Sequence, residues 1–67
     1  MISEKDVLLS ASVLIREHAD EAAQEAAKAA ENYRRKGDMD GHALFKRIEA
    51  AVVELQKKAP GKSDTIQ

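Results

Sequence analysis

Asp38, Asp40 and His42 stand at alternate positions of the chain, and Glu49 falls at the twelfth place of a calcium loop counted from Asp38. Carboxylates at that spacing can wrap a divalent cation, but such a loop needs glycine at its sixth place and an irregular backbone. Ala43 holds the sixth place, in a segment patterned as a helix. Capping and turn chemistry accounts for Asp38, Asp40 and Gly41 without a metal. A second polar group comprises Glu17, His18, Asp20, Glu21 and Glu25. A di-iron bundle would draw Glu-x-x-His motifs from two helices, and the chain has none. His18 is better placed to pair with Glu21 or Glu25 along one helix.

Arg34, Arg35 and Lys36, with Lys46 and Arg47 further along, could meet phosphates. Cations gathered at a helix end also offset the negative end of its dipole, which explains them without a ligand. Tyr33 and Phe45 are the only aromatic residues, and both fall on apolar stripes, so no stacking platform for single strands is left over. Ser10 and Ser12 have no histidine one turn away to activate them. A nucleophile or an acid and base pair needs a cleft that excludes water, and a small helical hairpin offers none. The sequence therefore carries no expectation of catalysis, cofactor, metal or small-molecule ligand.

At 67 residues the chain holds one domain at most and sits near the lower limit for a self-sufficient core. Cysteine is absent, which removes disulfides and thiolate metal sites and leaves packing, self-association or a partner to stabilise the fold. A hydrophobic share of 43% against 34% charged residues is a globular balance, and a net charge of −1 gives no support to polyanion or acidic-membrane binding. The start lacks a secretory leader, and the uncharged run from Val7 to Ile15 is too short to span a bilayer. The expected location is the cytoplasm.

The elements follow from period and punctuation. Ser3 and Asp6 ahead of Val7, Leu8 and Leu9 resemble a capping box, and strong helix formers run on to Lys36. Leu8, Ala11, Ile15, Ala19, Ala22, Ala26, Ala29 and Tyr33 form one stripe, with Val7, Leu14 and His18 along its edge. Gly37 suits a left-handed helix terminus and Asp38 suits a helix cap, so the chain reverses there into an antiparallel hairpin. The second helix is expected from Met39 to about Lys58, with Gly41, Leu44, Phe45, Ile48, Ala51, Val52 and Leu55 facing the first. The alanines of the first helix let the two approach closely. Pro60 and Gly61 end the second helix, which makes residues 1–59 the expected domain and residues 60–67 a disordered tail.

Length then raises a difficulty. A first helix of about 33 residues spans roughly 50 Å and a second of about 20 residues roughly 30 Å, so the first overhangs. Val7, Leu8, Ala11, Leu14 and Ile15 are left without cover. Either the chain breaks around His18, Ala19 and Asp20 and the N-terminal segment folds back as a third helix, or the long helix persists and two chains pair into a four-helix bundle. Leu9 and Val13, one turn apart on the other side, and the helix propensity of Ala19 favour the dimer.

The run Gly37-Asp38-x-x-Gly41-x-x-x-Phe45-x-x-Ile48-x-x-Ala51-x-x-x-Leu55 resembles short, uncharacterised proteobacterial helical proteins that share a GDxxGxxxWxxIxxAxxxL signature. Phe45 stands here where those proteins usually carry tryptophan. The resemblance implies a helical hairpin, implies no activity, and implies a break between a first and second helix at a glycine near residues 18–20, where this chain has Ala19. The functional expectation is a helical interaction module that binds a second copy or an unidentified protein through Val7, Leu8, Leu9, Val13 and Leu14. A nucleic-acid accessory role through the basic cluster is the alternative.

Overall fold

The computed structural model describes residues 3–58. The chain is all-α, with helix α1 at Glu4–His18, a 3-10 turn at Ala19–Glu21, helix α2 at Ala22–Arg35 and helix α3 at Met39–Lys58. The expected tail at residues 60–67 lies outside the described residues, as does the last residue of the expected domain.

Each terminus is formed by the local chemistry that the residue types supply. Ser3 opens α1 by accepting a hydrogen bond from the Asp6 amide at 3.2 Å. At the end of α2 the Gly37 amide donates to Arg34 O at 3.0 Å and the Asp38 amide to Tyr33 O at 2.9 Å. This double bond pattern closes the last turn and requires a left-handed residue, which Gly37 supplies with φ 82. Asp38 Oδ1 then accepts from the Gly41 amide at 2.9 Å and caps α3. The hairpin turn and cap at Gly37, Asp38 and Gly41 are thus as the sequence predicts.

The overhang is resolved within one chain. Ala19 ends α1 with φ 50 and ψ −118, and the chain folds back. Arg47 of α3 consequently reaches Glu4, at the start of α1, with Nη2 3.0 Å from Oε1. An uninterrupted helix through residue 19 would carry Glu4 far beyond the end of α3, so the unbroken long helix is corrected to a third helix. Burial decides against local propensity. Folding back buries Val7 and Ala11 and packs Leu14 and Ile15 against the core. Covering a large aliphatic side chain contributes about 1.5–3 kcal/mol, which outweighs the cost of one unfavourable backbone conformation. The Ala19 carbonyl accepts the Ala22 amide within the 3-10 turn and also a hydrogen bond from Gln56 Nε2 at 2.8 Å.

The core joins all three helices through Val7, Ala11, Ala22, Ala26, Ile48 and Val52, with Leu14, Ile15, Leu44, Phe45 and Leu55 partly buried against it. Alanines on α2 give space that Ile48 and Val52 of α3 fill. The α3 stripe is as expected. That of α1 is turned by part of a residue step, for Val7 is 2% exposed and Leu8 is 40% exposed. The physical reason is the break: α1 orients itself on α3, not as an extension of the α2 stripe.

At the closed end of the hairpin Gly41 permits a close approach. A Cβ there would lie 2.6 Å from Tyr33 Cδ1. The Tyr33 ring passes over Gly41 and stacks on Phe45, one turn further along α3, with ring centroids 5.5 Å apart. Glycine, a flat ring and a second ring one turn on form a single packing unit.

Candidate interaction surface

Helix α1 turns Val7 and Ala11 inward, which sends Leu9 and Val13, one turn apart, toward solvent. Leu9 is 58% exposed and Val13 43% exposed. Beside them Leu14 and Phe45 are half-buried, and Ser10 completes the rim of a shallow concavity of about 330 Å³. Four of its five lining residues are apolar, so water there gains few hydrogen bonds and is readily displaced.

Of the five residues expected to form a contact face, Leu9, Val13 and Leu14 are brought together in this concavity. Val7 is withdrawn into the intramolecular core and is corrected from surface to core residue. Leu8 lies on another side of α1, against a groove of about 490 Å³ that it shares with Glu4, Arg47, Ala51 and Leu55. Phe45 belongs to the concavity and was not expected there, because its place on the α3 stripe marks it as core. It is both, since one side of its ring stacks on Tyr33 while another edge reaches the concavity. Met39 and Val53 are exposed apolar residues elsewhere on α3.

No family model, no curated protein and no solved structure matches the chain. The site must therefore be read from its own chemistry.

The basic cluster is largely engaged in the protein's own ion pairs. Arg34 hydrogen-bonds Glu31 through both Nε and Nη2, and Arg35 Nε lies 3.5 Å from Glu31 Oε2. The Arg34 hydrogen bond, helped by the nearby positive charge of both arginines, holds the Glu31 carboxyl below the usual carboxylate range. The same contact raises the Arg34 guanidinium above its ordinary value. Lys46 Nζ sits 3.3 Å from Glu49 Oε1, and Lys36 Nζ lies 5.9 Å from the centre of the Tyr33 ring. Each cation has a local partner.

The polar groups with metal-like spacing are occupied in turn. Asp38 caps α3, and His42 Nδ1 lies 3.0 Å from the Ala30 carbonyl of α2, where a protonated ring nitrogen donates. Among the described residues no group of three or more His, Cys, Asp or Glu converges on a point that could hold a metal ion. Nor, among them, is any helix long and apolar enough to cross a membrane.

Proposed function

We propose that the protein is a cytoplasmic, non-enzymatic helical module that works by binding another protein surface, a second copy of itself included, through the apolar face at Leu9, Val13, Leu14 and Phe45. One observation carries the reading: the two most solvent-accessible aliphatic residues of α1 lie side by side next to an aromatic ring on a concave, nearly all-apolar surface. Apolar area gathered in this way commonly marks a contact site. The pairing of Arg34 and Arg35 with Glu31 speaks for this reading over a phosphate-binding one, because an incoming phosphate would have to compete with a carboxylate already in place.

The test replaces Leu9 and Val13 with glutamate. Both side chains are exposed, so the helical spectrum and unfolding midpoint should be retained. Light scattering across a range of protein concentrations should show association that the double variant loses. A wild-type protein that is indistinguishable from the double variant in mass and in every binding assay would count against the proposal.

A further inference from the structure

We infer that α1 is an exchangeable element: it can swing out about Ala19, continue α2 as one long helix, and occupy in a second copy of this chain the place that α1 occupies in its own. The partner is thus a second copy, and the reading does not rest on the Leu9 and Val13 face.

Three independent features point to it. The hinge is a three-residue turn closed on an alanine with φ 50 and ψ −118, the only non-glycine residue with positive φ among those described. Those angles match the first central position of a type II′ turn, where glycine is the natural occupant. Alanine there is strained, whereas in a helix it is the most favourable residue of all. Short hinges held under strain are the ones that favour exchange.

The second feature is phase. Val7, Ala11, Ala22, Ala26 and Ala30 are the buried residues of α1 and α2. Across the break the interval from Ala11 to Ala22 is eleven residues, which is close to three helical turns. A continuous helix would therefore keep on one stripe all the side chains that the closed form buries. Neither glycine nor proline occurs between Glu4 and Lys36 to interrupt such a helix.

The third is the nature of the contacts. What holds α1 in place is its packing of Val7 and Ala11 against Ile48 and Val52 and its Glu4 ion pair with Arg47. An identical α1 from another copy reproduces every one of these. On opening, the Ala19 carbonyl exchanges the Ala22 amide of the 3-10 turn for the amide one full α-turn on, and the exposed Gln56 side chain it releases is left to water. Exchange keeps the interface and releases two strained hinges per dimer.

The chain has no cysteine, which permits a clean test in the full-length protein. Glu4→Cys and Arg47→Cys place two thiols at the contact between α1 and α3, to be joined by a short bismaleimide after refolding at high and at low protein concentration. The expected result is an intrachain link at low concentration and an interchain link, seen as a covalent dimer under denaturing conditions, at high concentration. Ala19→Gly should weaken the wild-type dimer by about a hundredfold or more, about tenfold or more for each of two hinges, since glycine relieves the closed turn and disfavours the continuous helix. Leu9→Glu with Val13→Glu should leave this dimer intact. The inference is overturned by a chain that stays monomeric at every concentration. It is equally overturned by a dimer whose links are all intrachain, or by one that survives Ala19→Gly and is lost on charging Leu9 and Val13. That last pattern would support side-by-side docking and the proposed function, while failure of the Leu9 and Val13 face alone would leave exchange standing.

Discussion

Replacing Ala19 with glycine should stabilise this protein, and the sign of that effect discriminates between the folded-back chain and an unbroken helix. Ala19 has φ 50 and ψ −118. A residue held in so sparsely populated a region costs about 1–3 kcal/mol. Glycine removes that cost and gives back about 0.5–1 kcal/mol through the greater freedom of its unfolded chain. The net gain is about 0–2.5 kcal/mol, centred near 1, and each 1 kcal/mol moves the midpoint of a domain this small by about 4–8 °C. If residue 19 lay inside a continuous helix, glycine would instead destabilise by about 1 kcal/mol.

Thermal unfolding followed by circular dichroism, at concentrations where light scattering finds only monomer, reads the difference directly. A chemically synthesised chain with D-alanine at position 19 strengthens the comparison. For D-alanine the observed angles are equivalent to φ −50 and ψ 118 for an L-residue, an allowed extended conformation. It removes the strain without the entropy of glycine and should stabilise more than Ala19→Gly does. A lowered midpoint for both variants would refute the turn at Ala19 and, with it, the folded-back position of α1.

Gly41→Ala should destabilise by about 1–3 kcal/mol despite the better helix propensity of alanine, since the added carbon would overlap the Tyr33 ring. In a Tyr33→Ala background the same substitution should become neutral or stabilising, and a double-mutant cycle by denaturant unfolding measures the reversal. Glu31 has a folded-state pKa below its unfolded one, so its contribution is present above the unfolded value and is lost as the pH falls through the folded one. Glu31→Gln should flatten that part of the acid limb below about pH 4, and carboxyl chemical shifts should show Glu31 titrating below the usual carboxylate range. Leu9→Glu and Val13→Glu should each change the unfolding free energy by less than about 1 kcal/mol, measured by denaturant titration, because each side chain is about half exposed and can turn a carboxylate to water. Amide hydrogen exchange should be faster in α1 than in the α2–α3 hairpin, since α1 closes on a strained hinge; equal protection throughout would argue that the three helices open together.

The elements that were legible in the sequence are those fixed within a few residues of themselves. Ser3, Gly37 and Asp38 act on backbone groups one turn away, so residue type alone announces the start of α1, the end of α2 and the start of α3. The α3 stripe was legible because one partner helix faces it along most of its length. The break at Ala19 was legible as one of two alternatives and not as the outcome, for local propensity there favours helix and the decision belongs to burial elsewhere, at Val7 and Ala11. The exchange of roles between Val7 and Leu8 has the same origin, because the inward face of α1 is set by α3 and not by the helix that follows it. Leu9 and Val13 stood out as apolar residues off the stripe, whereas Phe45 could not be assigned to a surface by a pattern that also places it against Tyr33.

The alanine-rich face of α2 links the stability of this fold to the proposed exchange of α1. Ala22, Ala26 and Ala30 are buried, and they bring α2 and α3 close together while contributing little apolar area of their own. The hairpin therefore depends on larger side chains from elsewhere, and α1 brings Val7, Leu14 and Ile15 to the core. That contribution is a matter of geometry, not of covalent connection, because the hairpin gains the same area whether α1 arrives by way of its own hinge or from another chain. What the connection adds is a high local concentration, offset by the backbone cost at Ala19. A glycine at that position would favour the internal arrangement outright. Under the proposed exchange, alanine narrows the gap between the two, and protein concentration then becomes the variable that decides how the core is completed.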